Sequence, residues 1–216
     1  MWLYLSGAFA LGAIVGSFLN VCIYRLPRER SLVAPGSACP ECSAAIRWHD
    51  NIPILGWILL LGKCRDCKAS ISLRYVGIEL LTAGTFLYMY WRHLSDPVER
   101  DTGVLLVQLL LVAALIISTF IDFEWRIIPD EITKTGMVAG PILAALYPAM
   151  QEEPSLAGLL GPRLPARTSM EALVASFVGM AVGAGMIWIL GWAGRKAFKK
   201  EAMGFGDVKY MAFLGG

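Results

Sequence analysis

Residues 103–121 read GVLLVQLLLVAALIISTFI, and the polar segment Asp122-Phe123-Glu124-Trp125-Arg126-Ile127-Ile128-Pro129-Asp130 follows at once. An uncharged run of this length is sufficient for a helix that crosses a bilayer. Asp122 is the first charged residue after the run. A carboxylate at that depth is costly unless it is paired, protonated or exposed to water, so Asp122 is a candidate functional group. It also fits a residue that only marks where the helix leaves the lipid.

The composition of the chain favours a membrane protein. Of its 216 residues, 56% are hydrophobic and 17% are charged, and the mean hydropathy is +0.59. A soluble domain is usually less apolar and more highly charged. The formal net charge of +2 is too small to indicate a nucleic-acid partner.

Apolar runs along the chain predict a bundle of transmembrane helices. The predicted helices are residues 1–24, 75–91, 103–121, 135–150 and 172–194, with the start of a sixth at Val208. We expect Pro141 and Pro148 to kink or end the fourth helix. The sixth stops at Gly216, too early to cross a bilayer, so we expect a chain truncated within that helix. The predicted fold class is an all-α polytopic membrane protein.

Three domains follow from this pattern: a first transmembrane helix (1–24), a polar insert (25–74) and a transmembrane core (75–216). Within the insert, the apolar run 54–61 is too short to span a bilayer. We expect that run to be packed against the protein or to lie at the membrane interface.

The distribution of basic residues predicts the orientation. The insert and the segments 122–134 and 195–201 carry fourteen Lys and Arg residues, whereas the loops on the opposite side carry four. Because basic residues accumulate on the cytosolic side, we expect the N-terminus outside and Asp122 and Asp207 at the cytosolic face. The lipid bilayer is therefore a predicted partner.

Two Cys-x-x-Cys pairs give the insert a candidate metal site, formed by Cys39, Cys42, Cys64 and Cys67. Four thiolates are the ligand set typical of structural zinc, and they leave no open position for water. We therefore expect the metal to support folding rather than catalysis. A redox pair or a pair of disulfides is the alternative, and a cytosolic location disfavours disulfides.

A second aspartate lies at the edge of another apolar run, in Gly204-Phe205-Gly206-Asp207. We expect the two glycines to allow backbone conformations closed to other residues and to keep side chains out of a substrate groove. Two close carboxylates cannot both ionise easily, so one can take a proton from water while the other hydrogen-bonds a scissile carbonyl. Asp122 and Asp207 are thus candidates for peptide hydrolysis. Asp207 also fits an N-cap for the helix beginning at Val208.

Asp130 and Glu79 are supporting candidates. Asp130 follows Pro129 and fits a helix cap or a group that orients the site. Glu79 lies inside the second helix, where it could pair with Arg74 or Arg126 or contact a cationic group of a ligand. Extension of its carboxylate to the cytosolic interface is an equally good interpretation.

Several separate strings occur in an order typical of one known family. They are Gly16-Ser17-Phe18-Leu19-Asn20-Val21, Arg25-Leu26-Pro27, the two cysteine pairs, Asn51-Ile52-Pro53, Arg74-Tyr75, Asp122 with Ile128-Pro129-Asp130, and Gly204-Phe205-Gly206-Asp207. With them the chain resembles the bacterial type IV prepilin peptidases (prepilin leader peptidase/N-methyltransferases), over nearly its whole length.

The resemblance implies an intramembrane aspartyl protease of the Gly-x-Gly-Asp type in the bacterial inner membrane. Such an enzyme removes the leader peptide of prepilins or pseudopilins at the cytosolic face, here with Asp122 and Asp207 as the catalytic pair. The resemblance also implies that the four paired cysteines bind zinc. It further implies methylation of the new N-terminal residue with S-adenosylmethionine, although the sequence has no recognisable donor-binding residues.

Two other functions fit the residues. A non-enzymatic membrane scaffold could use the zinc insert to dock parts of a pilus or secretion machine, and it would tolerate loss of both aspartates. A small-solute transporter could use Asp122, Asp207 and Glu79 as coupling charges, but it would be expected to contain an internal repeat, which the sequence lacks.

Overall fold

A computed structural model of the chain describes residues 2–95, 101–148, 168–199 and 204–216. The helices are α1 (Trp2–Arg25), α2 (Leu55–Leu59), α3 (Leu73–Ser95), α4 (Thr102–Trp125), α5 (Asp130–Leu146), α6 (Ser169–Phe198) and α7 (Phe205–Gly215), and a 3-10 turn (Leu26–Arg28) follows α1. The described residues form no strand, only two isolated β-bridges in the insert. The predicted all-α class is confirmed.

Three stretches are long and apolar enough to cross a membrane: Trp2–Arg28, Thr102–Trp125 and Ser169–Ala197. They correspond to the first, third and fifth predicted helices. α5 is shorter, at 17 residues, and α3 contains Arg74, Glu79 and Arg92. The chain therefore has the composition of a multi-pass membrane protein.

Several predicted helix boundaries are wrong. α4 continues to Trp125, so Asp122 lies within its last turn and not at the start of a loop. α5 begins at Asp130, inside the predicted loop, and Pro141 lies within it without ending it. α6 continues to Phe198. A charged side chain that points outward does not interrupt the backbone hydrogen bonds of a helix, so the first charge after an apolar run need not end it.

The predicted start of α7 is also wrong. It begins at Phe205, three residues before the predicted Val208, and includes Asp207. Residues 149, 150, 200 and 201, which close two of the predicted segments, lie outside the described residues.

The chain divides into two compact units, Met1–Trp125 and Arg126–Gly216. In the first unit, α1 approaches α3 closely through two glycines. A Cβ on Gly12 would lie 2.7 Å from the Cα of Ala83, and one on Gly16 would lie 2.8 Å from the Cα of Glu79. Large aliphatic side chains fill the space where α1, α3 and α4 meet: Leu19, Ile23, Ile78, Ile116 and Ile121.

In the second unit, α7 packs against α5 and α6 with little side-chain volume between the backbones. Gly136 on α5 faces the ring of Phe213, and Gly183 on α6 faces the carbonyl of Met211. The hydroxyl of Ser176 donates a hydrogen bond of 2.7 Å to the carbonyl of Gly216. The prediction that small residues in 172–194 allow close helix packing is confirmed.

Candidate active site and metal centre

The two cysteine pairs lie on turns of the same construction. In each turn the first cysteine N–H donates to the carbonyl five residues later, and the N–H four residues later donates back to that cysteine's carbonyl. In the turn of Cys39 both N–O distances are 2.9 Å. In the turn of Cys64 the first N–O distance is 2.8 Å and the second is 3.1 Å. The residue after the second cysteine, Ser43 or Lys68, is left-handed, with φ of 57° and 61°. The same backbone geometry in both turns directs the two pairs of thiols toward a common point.

The four sulphurs converge on one point. The Sγ atoms of Cys39, Cys42, Cys64 and Cys67 all lie within 4.8 Å of one another, and those of Cys39 and Cys67 are 3.8 Å apart. A tetrahedral zinc with Zn–S bonds of about 2.3 Å requires sulphurs about 3.8 Å apart, so this ligand set fits a zinc ion. Backbone N–H groups of Cys42 and Glu41 lower the pKa of the Cys39 thiol to about 7.

Two further contacts hold the insert together, and the sequence analysis identified neither. Arg65, between the second pair of cysteines, donates to both carboxylate oxygens of Asp50 at 2.7 and 2.5 Å. Hydrogen bonding to this guanidinium lowers the pKa of the Asp50 carboxyl below its usual range. The indole N–H of Trp57 donates to the carbonyl of Ile71 at 3.0 Å.

Glu79 connects the insert to α3. Its side chain is buried, with 8% exposure, and its Oε2 accepts the backbone N–H of Ile54 at 2.7 Å. Ser17 on α1 also lies beside this carboxylate. The predicted ion pair with Arg74 is wrong, because Arg74 lies at the start of α3 and pairs with Glu124 at the end of α4. Extension of the carboxylate to the cytosolic interface stays a prediction.

Asp122 lies in the last turn of α4 and is exposed on the surface of the first unit. Its neighbour Ile121 is fully buried in the aliphatic cluster. The helix therefore points the Asp122 carboxylate away from the core of its own unit, where it is accessible to a ligand.

Asp207 is the third residue of α7 and is half-buried. Its predicted role as an N-cap is wrong, because Gly204 occupies that position and Asp207 reaches back to accept the Gly204 N–H at 3.1 Å. A carboxylate at the third helical position satisfies an N–H that the helix leaves unpaired.

The glycines beside Asp207 leave open space, and neither of them adopts a backbone conformation that requires glycine. Gly204 is extended, with φ of −77° and ψ of 153°, and Gly206 lies in α7 without a positive φ. The expectation of conformations closed to other residues is therefore wrong. A Cβ on Gly204 would approach nothing closer than 3.7 Å, and one on Gly206 nothing closer than 4.0 Å. The surface beside Asp207 is thus open.

Asp130 binds two lysines. Lys209 Nζ lies 2.7 Å from Oδ1, and Lys134 Nζ lies 2.8 Å from Oδ2. The predicted capping role is wrong, because Pro129 is the N-cap of α5. Lys209 also lies 5.3 Å from the ring centre of Phe205, so it contacts both Asp130 and the segment that carries Asp207. The sequence signal for this contact was a lysine two residues after Asp207.

Asp122 belongs to the first unit and Asp207 to the second. Their pairing therefore stays a prediction from the sequence.

Two cavities open on the first unit among residues near the start of α1. One is lined by Trp2, Leu5, Ser6, Phe9, Gly84, Leu87, Tyr88 and Trp91, and the other by Leu3, Tyr4, Gly7, Ala8, Leu11, Phe86, Tyr90 and Leu109. The apolar walls of these two cavities do not fit a charged methyl donor such as S-adenosylmethionine. We therefore assign no reaction step to that group.

The described structure thus defines an all-helical membrane protein with a four-cysteine insert between its first two long helices. Residues 10–93 match the model of the bacterial peptidase A24 N-terminal domain, and residues 109–216 match that of the type IV leader peptidase family. The chain belongs to the type IV leader peptidase family, which confirms the predicted resemblance.

Curated relatives align with nearly the whole chain. A prepilin leader peptidase/N-methyltransferase of Myxococcus xanthus (strain DK1622) is 38% identical over 96% of this chain. A type 4 prepilin-like proteins leader peptide-processing enzyme of Escherichia coli O78:H11 (strain H10407 / ETEC) is 36% identical over 94% of it. A prepilin leader peptidase/N-methyltransferase of Klebsiella pneumoniae is 34% identical over 99% of it.

The chain spans 54% of the Myxococcus relative, 73% of the Escherichia relative and 85% of the Klebsiella relative. No solved structure matches the chain.

Proposed function

We propose that this chain is an intramembrane aspartyl peptidase that removes leader peptides from prepilins or pseudopilins. The observation that carries the proposal is the family match over residues 109–216, which contains both Asp122 and Asp207. The names of the relatives specify the same substrates. By the excess of basic residues in the insert, the site faces the cytosol and the N-terminus lies outside the bacterial inner membrane.

In the proposed mechanism Asp122 and Asp207 share one proton. The ionised carboxylate takes a proton from a water molecule, which attacks the scissile carbonyl carbon. The protonated carboxyl donates a hydrogen bond to the carbonyl oxygen, and a proton passes to the leaving amine as the C–N bond breaks. Two like charges at close range cannot both ionise easily, which maintains this division of roles. The two groups would titrate as a pair.

The described geometry supports Asp207 in this role. Its link to the Gly204 N–H fixes the carboxylate at the start of α7, where the positive end of the helix dipole stabilises an anion. The open surface beside Gly204 and Gly206 leaves room for an extended peptide.

Asp130 is better suited to positioning than to catalysis. Lysines contact both of its carboxylate oxygens, so neither oxygen is available to take a proton from water without breaking an ion pair. Through its ion pair with Lys209, Asp130 would fix the position of the Phe205–Asp207 segment. Asp122 remains the partner that we propose for Asp207.

The four-cysteine site, in this proposal, binds zinc with Cys39, Cys42, Cys64 and Cys67 and keeps the insert folded. N-methylation of the newly exposed N-terminal residue is proposed from the names of the relatives alone. S-adenosylmethionine, the methyl donor that the resemblance implies, fits neither of the two described cavities, so no binding site is proposed for it.

Cleavage of a prepilin in membranes tests the proposal. We expect Asp122→Asn and Asp207→Asn each to lower the cleavage rate by at least about 10²-fold at equal membrane levels, as removal of a general acid or base does. Asp130→Asn should lower it less. Asp101→Asn, at the opposite end of α4, is the matched control and should cleave normally.

Cleavage that persists in Asp122→Asn or Asp207→Asn would remove that residue from the mechanism. If both variants and the parent fail to cleave but all support pilus assembly equally, the scaffold function is favoured instead.

A further inference from the structure

The short helix α2 has two different faces. Leu55, Ile58 and Leu59 lie at i, i+3 and i+4 and so share one face, and they are 55%, 51% and 76% exposed. On the other side, Gly56 is buried against the carbonyl of Asp50, and Trp57 hydrogen-bonds the carbonyl of Ile71. The insert therefore holds α2 by one face and presents the apolar face outward.

The position of α2 along the helix bundle is fixed by Glu79. The Ile54 N–H, at the start of α2, donates to the Glu79 carboxylate. Glu79 is five residues after Arg74, which places it about 7.5 Å further along α3. Arg74 pairs with Glu124 near the end of α4, so these two charges mark the edge of the bundle. The start of α2 is therefore held against α3, within about two helical turns of this charged edge.

Basic residues accompany the exposed apolar face. Leu61 is 81% exposed, and the exposed Lys63 follows two residues later. The insert as a whole, residues 25–74, has eight Lys and Arg residues and four Asp and Glu residues. Exposed apolar side chains near a charged edge, with cations beside them, complement the acyl chains and anionic headgroups of a bilayer.

We infer that α2 is an interfacial anchor, which inserts Leu55, Ile58, Leu59 and Leu61 into the membrane leaflet on the side of the insert. Lys63 lies at the level of the lipid phosphates, with its aliphatic stem along the apolar face. The anchor holds the four-cysteine centre against the membrane surface at a fixed height. It makes the insert a membrane-embedded part of the protein rather than a soluble appendage.

Photocrosslinking of the full chain in lipid nanodiscs tests this inference. Leu59→p-benzoylphenylalanine is placed in the anchor, Leu110→p-benzoylphenylalanine on the exposed apolar side of α4 as a lipid-contacting control, and Glu41→p-benzoylphenylalanine between the first two cysteines as a polar control. Each variant must retain the zinc content of the parent chain. Lipid adducts are counted by mass spectrometry after irradiation.

The expected result is a yield of lipid adducts at Leu59 within about 3-fold of that at Leu110 and at least about 10-fold above that at Glu41, a contrast that follows from insertion into the acyl region. A yield at Leu59 equal to that at Glu41 would overturn the inference. So would a change from lipid adducts to peptide adducts when a prepilin is added, because the face would then bind substrate. Adducts with a second copy of the chain would assign it to a dimer.

Discussion

The two units of this protein bury different kinds of side chain. In the first, isoleucines and leucines from α1, α3 and α4 fill a common core. In the second, the described buried side chains are small, and they include Thr133, Ala144, Ala172, Ser176 and Ala212. Lipid is as apolar as leucine, so aliphatic burial gives little drive for association inside a bilayer, and close backbone contact replaces it. The packing of the second unit thus depends on small residues at the positions where its helices touch.

The units also differ in what holds their polar segments. The insert of the first unit has few large buried apolar side chains of its own, and its four sulphurs lie where a metal can join its two halves. The polar edge of the second unit is held by the ion pairs of Asp130. The first unit, which also packs closely at Gly12 and Gly16, should therefore be sensitive to loss of metal as well as to added volume, and the second to added volume alone.

Removal of the metal should have the largest effect and should be confined to the first unit. A structural zinc site contributes on the order of 10 kcal/mol to folding, so Cys64→Ser or chelation should unfold the insert. Limited proteolysis should then cleave within residues 29–72 while the second unit stays protected. Cys22→Ser, which changes the buried cysteine of α1 outside the cluster, should leave zinc content and the protease pattern unchanged. Equal loss of protection in both units would break the comparison.

Added volume should have the next largest effect, in the second unit. In Gly183→Ala the new Cβ would collide with the Met211 carbonyl, which is backbone and cannot rotate away. Overpacking of this kind costs about 1–3 kcal/mol, so we expect thermal unfolding in detergent at a lower temperature. Gly185→Ala is the matched control, because no atom lies within 4 Å of its Cβ position.

The two glycine variants should move in opposite directions. In Gly185→Ala, better helix propensity should stabilise by up to about 1 kcal/mol. If Gly183→Ala also proves neutral or stabilising, then α6 and α7 are not held by backbone contact, and the contrast between the units is lost.

The sequence was sufficient to predict the helices other than α2, but not their ends. Apolar runs of about 20 residues identify membrane helices, yet hydropathy changes at Asp122 while the hydrogen-bonded helix continues to Trp125. The same limitation moved the start of α7 from Phe205 to Val208. Hydropathy reports the medium around a side chain, whereas a helix ends where its backbone is capped.

The cysteine spacing was sufficient to predict the four-cysteine cluster, but the sequence did not predict which residues form ion pairs. Lys209 and Asp130 are 79 residues apart, and several other lysines were equally plausible partners by sequence. Glu79 was a candidate buried charge, but its partner is a backbone N–H of the insert, which no residue type reveals. Local patterns predict local geometry, and the remaining contacts depend on which segments the fold brings together.

The smallest predicted effect concerns the Asp50–Arg65 ion pair of the insert. Because Arg65 lowers the pKa of the Asp50 carboxyl in the folded insert, the pair stabilises above the unfolded pKa of about 3.9, and this contribution is lost as pH falls through the lower folded pKa. Asp50→Asn should therefore weaken protection of the insert from proteolysis at pH 7. The difference between parent and variant should shrink as the pH falls below about 3.9.

Loss of zinc would unfold the insert of parent and variant alike, so the two are compared only at pH values at which both retain equal zinc. Asp66→Asn provides the control, because Asp66 lies 3.8 Å from Arg47 in a half-exposed pair, and such pairs contribute little. It should change protection less than Asp50→Asn at every pH. A parent-to-variant difference for Asp50→Asn that stays constant from pH 7 to pH 3 would mean that Asp50 acts by packing alone. The stability of the insert would then depend still more strongly on its metal. The contrast with the second unit, which is held by close helix packing, would become sharper.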